Sequence, residues 1–309
     1  MSNDKTKANY SKSKFSNLEF KNNSKSSQDK SKNRFNHTFK KSLGQNFLSD
    51  TNLLSAIQHD ANTSKIDYVV EVGAGQGSLT KILVENSAFV LSFEVDNDLK
   101  ETLYNLQDQY KNLNIQFIDI LKSDISTIHK ILSENGFNKG QDKYKVVANI
   151  PYYITSEIIF KFLDDIQNIK SITVLVQKEV AERVVATSGS EYGILSVLIS
   201  FFGTPKIKRI VGRRNFYPVP NVDSAVLHIE IDKSNDKELY PFFKEIVHIC
   251  FNYRRKTILN NLSARLNIDK DKLTDIITGL NLKPTLRAEN LSLEDYIKLS
   301  KVLKSELNK

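Results

Sequence analysis

Between Tyr68 and Val176 the sequence alternates two kinds of segment, and this alternation limits the possible folds more than any other feature. Short β-branched runs from Tyr68 to Val72, Phe89 to Val95, Ile115 to Ile118, Lys145 to Ala148 and Ser171 to Val176 are separated by stretches with helical apolar spacing. Strands separated by helices pair in parallel through right-handed crossovers, so the pattern predicts an α/β fold with a doubly wound sheet. Two later extended stretches, Pro205 to Val211 and Ala225 to Ile231, are joined by Pro- and Asn-rich turns without a helix. They read as an antiparallel pair closing the sheet edge. After Asp232 the spacing is helical throughout, with Phe242, Ile246, Ile249, Cys250 and Tyr253 on one stripe. The predicted organisation is a tail over residues 1–40, a sheet domain over 41–233 and a small helical domain over 234–309.

Charge is unevenly distributed. Residues 1–40 carry nine Lys and Arg34 against Asp4, Glu19 and Asp29, so seven of the eight net positive charges lie in that segment. Rich in Ser, Lys and Asn, it buries too little apolar surface to offset its ordering entropy and is expected to be a disordered basic tail. It has neither the apolar core of a secretory signal nor the amphipathic stripe of a transit peptide. Either a neutral extension or an electrostatic tether to nucleic acid fits it. The longest strongly apolar run, Ile194 to Phe202, is about half of a membrane span, so no membrane association is expected. The single cysteine, Cys250, excludes an internal disulfide and fits a reducing cytoplasm; its apolar helical surroundings suit packing.

The chemistry concentrates at successive strand ends. After the first strand, EVGAGQGSLTKIL places Gly73, Gly75 and Gly77 ahead of a helix, a turn through which backbone can approach a nucleotide. Glu94, at the end of the second strand, offers an acceptor pair for ribose hydroxyls. Both NAD and S-adenosylmethionine carry such a ribose, so this pair does not separate them. Asp119, placed at the end of the third strand, can accept the amino hydrogens of an adenine. The fourth strand ends in Asn149, Ile150, Pro151 and Tyr152. An amine conjugated to a purine is a poor nucleophile because its lone pair is delocalised. The Asn149 side-chain oxygen and the Ile150 carbonyl, held by the fixed φ of Pro151, can accept both amine hydrogens and direct the lone pair at an incoming methyl group. Tyr152 offers a face on which the base can stack. In this reading a sulfonium supplies a very good leaving group, transfer is an in-line displacement, and catalysis is positioning. The five histidines are scattered without ligand spacing, and no metal is expected.

Taken together, KSLGQNFL, EVGAGQGSLT, FEVD, DIL, NIPYYIT, LVQKEVAERVVA, YGILSV, NFYPVPNVDSAV and FNYRRKTILNNL make the chain resemble the KsgA-type small-subunit ribosomal RNA adenine dimethyltransferases from about Lys41 onwards. The resemblance implies a class I S-adenosylmethionine-dependent methyltransferase sheet, Rossmann-like, with a C-terminal helical domain that binds RNA. It implies that Asn46 and Leu48 close over S-adenosylmethionine, that Gly73, with Gly75 in the same loop, contacts it, and that Glu94 and Asp119 bind its ribose and adenine, with Asn149 shared between cofactor and target amine. It further implies that Phe216 stacks on the target base opposite Tyr152, a sandwich suited to a flipped-out adenine. The reaction implied is dimethylation of two adjacent adenosines in the 3′-terminal hairpin loop of small-subunit ribosomal RNA. The setting would be ribosome biogenesis, on a 30S-type assembly intermediate, by a cytoplasmic monomer.

Arg254, Arg255 and Lys256 form a basic cluster read as a phosphate contact. The sequence departs from the family at Gly212, Arg213 and Arg214, where Val-Pro followed by small or mixed residues is expected, and in its long tail. Three other readings compete. A macrolide-resistance methyltransferase acting on large-subunit RNA shares QNF and NIPY, but LGQNFL, QKEVAERVVA, YGILSV and FNYRRKT favour the small-subunit group. A non-catalytic assembly or transcription factor on the same fold is opposed by the intact Asn149-Ile150-Pro151-Tyr152. A nicotinamide oxidoreductase predicts stabilisation by NAD.

Overall fold

The computed structural model of the chain describes residues 46–48 and 50–308. The basic segment 1–40 and the KSLGQ portion of the first motif lie outside the described residues.

A seven-stranded sheet forms the centre. Its strands are β2 (Tyr68–Val72), β3 (Phe89–Phe93), β4 (Leu113–Gln116), β5 (Tyr144–Asn149), β6 (Ile169–Gln177), β7 (Thr204–Val211) and β9 (Ser224–Glu230), in the order β4-β3-β2-β5-β6-β9-β7. The five strands from β4 to β6 are parallel, while β9 runs antiparallel to both β6 and β7. A separate two-stranded ribbon joins β1 (Phe47–Leu48) to β8 (Phe216–Tyr217), pairing Phe47 with Tyr217 and Leu48 with Phe216.

The apolar runs are continuous because the parallel strands are covered on both faces. In β2, Val70 and Val72 face the larger hydrophobic cluster, while Val69 faces the smaller one. The larger cluster also takes in Phe243, Val247 and Cys250 of the helix Tyr240–Phe251 and Tyr296, Leu299 and Leu303 of the helix Leu293–Leu307. Cys250 is fully buried there, and burial pushes its thiol up to about 12, as suits a packing residue. All described residues belong to one compact unit. The division near residue 233 into a methyltransferase domain and a helical domain therefore stands as a proposal about organisation along the chain.

Strand order fixes where a site can form. The chain runs outward through β2, β3 and β4, then returns to place β5 on the other side of β2. The ends of β2 and β5 thus flank a switch point, the crevice where sheets of this type take ligands. No helix among the described residues is long and apolar enough to cross a membrane.

Candidate active site

One cavity lies at this switch point. It is lined by Asn46, by Phe47 and Leu48 of β1, and by the loop Gly73–Gln76. Glu94, Val95, Ile118 and Asp119 contribute from beyond β3 and β4, and Asn149–Ile154 from the end of β5.

The glycine loop has the shape that only glycine supplies at two of its positions. Gly73 has φ +82°, and a Cβ there would lie 3.0 Å from the Asn149 main-chain oxygen. Gly75 has φ +57°, and a Cβ would meet the Phe47 ring at 2.9 Å. The loop therefore packs directly on β5 on one side and on β1 on the other. The Gly73 and Ala74 N–H groups both donate to the Phe93 carbonyl, at 2.9 and 3.2 Å, continuing the ladder past the end of β2.

Glu94 follows β3 by one residue. Its Oε2 accepts from the Gly75 N–H and its Oε1 from the N–H groups of Val95 and Asp96, each at 2.8 Å. Burial raises its carboxyl above the usual range, and the three amide bonds oppose that rise. These bonds fix the carboxylate against the glycine loop while it still lines the cavity. Beneath it, Glu71 Oε2 accepts from Thr80 Oγ1 at 2.7 Å and Ser92 Oγ at 2.6 Å. Glu71 thus ties β2 to β3 and to the helix Ser78–Val84, and burial pushes its carboxyl up to about 7.

Asp119 is not at a strand end as the sequence suggested. β4 stops at Gln116, because the chain turns there: Asp119 Oδ1 accepts from the Leu121 N–H at 3.0 Å, and its main-chain oxygen from those of Lys122 and Ser123. The carboxylate still reaches the cavity wall, with Lys122 Nζ 3.4 Å from its Oδ2.

At the end of β5, Asn149 and Tyr152 are half-buried and Ile150 is buried. Pro151 holds φ −56° and ψ 137° ahead of a single 3₁₀ turn, Tyr152–Ile154, which carries Tyr152 along the cavity wall. The Tyr152 hydroxyl lies 2.6 Å from Ser224 Oγ at the start of β9.

Phe216 is not brought to the cavity. Pairing with Leu48 turns it inward, 3% exposed, into the smaller hydrophobic cluster with Leu48, Leu54, Val211 and Val226. In this arrangement it packs under the ribbon and is not among the residues that line the cavity. The departure at Gly212–Arg214 forms a 3₁₀ turn, Arg213–Asn215, pinned by Asp223, whose Oδ1 accepts from the Arg213 N–H at 2.9 Å. The basic cluster lies in the turn after the helix Tyr240–Phe251 and away from the cavity wall. There Arg254 Nη2 donates to the Ser190 carbonyl at 2.8 Å, and Lys256 Nζ sits 4.6 Å from the centre of the Tyr253 ring. Arg255 is exposed.

Sequence reasoning missed Phe47, Val95, Ile118 and Tyr153. Val95 is 47% exposed, Ile118 38% and Tyr153 66%, yet all three line the cavity. Apolar side chains left bare around polar acceptors are what a flat aromatic ligand would cover. A β-branched residue just beyond a strand end is the weak signal that could have flagged Val95.

A glycine loop, a strand-end acid and an Asn-Ile-Pro-Tyr turn, grouped around the switch point of a doubly wound sheet, define a class I methyltransferase. Residues 36–305 match the ribosomal RNA adenine dimethylase family. The chain is 39% identical over 279 residues to the ribosomal RNA small subunit methyltransferase A of Bacillus mycoides (strain KBAB4), covering 87% of this chain and 93% of that protein. It resembles the crystal structure of a dimethyladenosine transferase from Plasmodium falciparum, with TM-score 0.69 and 26% identity over 84% of this chain and 98% of the other. The 23S rRNA methyltransferase ErmE, with TM-score 0.63 and 22% identity over 84% and 100% of the two chains, shares the fold. The chain belongs to the ribosomal RNA adenine dimethylase family.

Proposed function

We propose that the protein dimethylates the N6 amino groups of two adjacent adenosines in the 3′-terminal hairpin loop of small-subunit ribosomal RNA. It would use S-adenosylmethionine, and act on a 30S-type assembly intermediate as a cytoplasmic monomer. The observation that carries this reading is that Asn149 and Tyr152 stand on the same cavity as the glycine loop and Glu94. The small-subunit assignment is supported by the name of the 39% identical relative.

The cavity suits such a cofactor. The glycine turn brings its backbone close against β5 and β1 at the cavity edge, Glu94 presents a fixed acceptor, and Val95 and Ile118 offer apolar faces to an adenine. Asn46, Leu48, Gly73, Gly75, Glu94 and Asp119 would hold it. When bound, S-adenosylmethionine supplies an electrophilic methyl group on a good leaving group. The Asn149 side-chain oxygen and the Ile150 carbonyl accept the hydrogens of the target amine and turn its lone pair into the cavity. Pro151 fixes the backbone between these acceptors and Tyr152, whose ring supports the base. An unpaired loop base costs little to extrude, so catalysis is positioning of two partners.

The test is to incubate the protein with methyl-labelled cofactor and unmethylated small subunits, large subunits or DNA, and to map the label. Label on adjacent adenosines of the small-subunit 3′ hairpin is expected. Label confined to large-subunit RNA would overturn the assignment.

A further inference from the structure

Ser224 lies outside the cavity, yet its only side-chain hydrogen bond among the described residues goes to the ring that is to carry the base. It opens β9, is 0% exposed, and pairs with Gln177 at the end of β6 and Val211 at the end of β7. Its Oγ is 2.6 Å from the Tyr152 hydroxyl, a contact between residues 72 positions apart.

The path of this contact matters. Tyr152 starts at the end of β5, and β6 lies between β5 and β9. The side chain therefore crosses the end of β6 to reach its partner. A tyrosine on a short 3₁₀ turn is fixed at Cα but free to lean about its side-chain bonds. A hydrogen bond at the far end removes that freedom and sets the ring plane. Ser224 is itself held in place through its neighbour Asp223, whose main-chain oxygen accepts from the Lys178 N–H at 3.0 Å and whose Oδ1 accepts from the Arg213 N–H.

We propose that Ser224 is a positioning residue for methyl transfer, locking the Tyr152 ring in the plane on which the target adenine stacks. The proposal rests on the functional reading above. It assigns Ser224 no contact with RNA or cofactor. Without the lock, the base would still bind but its amine would be less often aligned with Asn149, so the loss falls on turnover and not on cofactor binding.

A double-variant cycle on the full chain tests this. Ser224→Ala, Tyr152→Phe and the pair are compared in single-turnover methylation of unmethylated small subunits, with cofactor affinity by calorimetry and melting temperature measured alongside. Ser224→Ala is expected to slow transfer by roughly fivefold to tenfold, the worth of one neutral hydrogen bond, with cofactor affinity unchanged. Tyr152→Phe keeps the ring and should lose the same factor, and the pair should lose no more than either alone. Transfer by Ser224→Ala within twofold of the parent, losses that multiply in the pair, or a parallel loss of cofactor affinity would each overturn the proposal. If Ser224→Ala does not fold, Tyr152→Phe carries the test, and undiminished transfer by it overturns the lock. Failure of the functional reading shows separately, as a parent enzyme that labels only large subunits, and the same cycle then applies on that substrate.

Discussion

One wall of the cavity is made of parallel strand ends and the other of a two-residue ribbon, and the two are held by different means. The strand-end wall rests on β2, β3 and β5, paired in register to their ends: Val72, the last residue of β2, pairs with Phe93, the last of β3, and with Ala148, the residue before Asn149 in β5. The ribbon wall rests on two residue pairs between β1 and β8 and on the burial of Leu48 and Phe216 beneath them. Extended sheet pairing fixes a backbone to a fraction of an ångström, which suits acceptors that must aim a lone pair. Two residue pairs hold little on their own, so this wall depends on the side chains packed beneath it.

The strand-end wall should therefore be intolerant of small chemical changes. Asn149→Ala is expected to cut methyl transfer by about 10²- to 10³-fold, the scale for removing one polar group aimed at a reacting atom, with the melting temperature little altered. Single-turnover rates beside a melting curve check this. Undiminished turnover would remove the strand-end wall from the chemistry. The ribbon wall should instead respond through stability. Phe216→Ala is expected to lower unfolding free energy by about 3 kcal/mol, as for an aromatic removed from a core, while Phe216→Leu keeps transfer within about twofold. Denaturant titration and the methylation assay separate the two. A Phe216→Leu enzyme that is stable but slow would mean that the ring turns out to meet the base, as the family resemblance implied.

The two walls also differ in how far the sequence disclosed them. β2 falls on the Tyr68–Val72 run, and Gly73, Glu94 and Asn149 follow from it because each is fixed by its own strand and by crossovers of one hand. Asp119 was misplaced by a few residues, since a turn that consumes its own carboxylate looks in sequence like a strand continuing. The ribbon was invisible. Nothing local to NFYPVP tells that Phe216 will pair with Leu48 and face inward, because that orientation depends on which distant partner the strand finds. The Ser224 contact was hidden for the same reason, a hydroxyl meeting a hydroxyl 72 positions away.

Beneath the strand-end wall, Glu71 offers a pH test of intermediate size. Its carboxyl lies near 7 in the folded chain against an ordinary 4.5, chiefly through burial. The folded chain then holds a proton that the unfolded chain has already released between these values. Stability should fall as pH rises from 4.5 to about 7 and level off above, by at most about 3 kcal/mol from this group. Glu71→Gln should flatten the decline across that window. Denaturant midpoints for parent and variant at several pH values from 4.5 to 8 decide it, and parallel curves would mean that the carboxyl ionises freely.

The smallest effect expected lies farthest from both walls. In the basic turn, Arg254 already donates to the Ser190 and Tyr192 carbonyls, and Lys256 lies over the Tyr253 ring, whereas Arg255 projects from the surface. Three adjacent cations that look alike in sequence are thus unequal in what they can give to an RNA. If the turn meets phosphate, Arg255→Ala should weaken small-subunit binding a few-fold at physiological salt and reduce the salt slope by about one, while leaving transfer on saturated substrate intact. Arg254→Ala should instead loosen the Ser190–Tyr192 loop, by about 1 kcal/mol of stability for one exposed hydrogen-bonded cation. Binding measured across a salt titration separates these outcomes. Equal affinity of parent and Arg255→Ala at every salt concentration would take the turn out of the RNA interface.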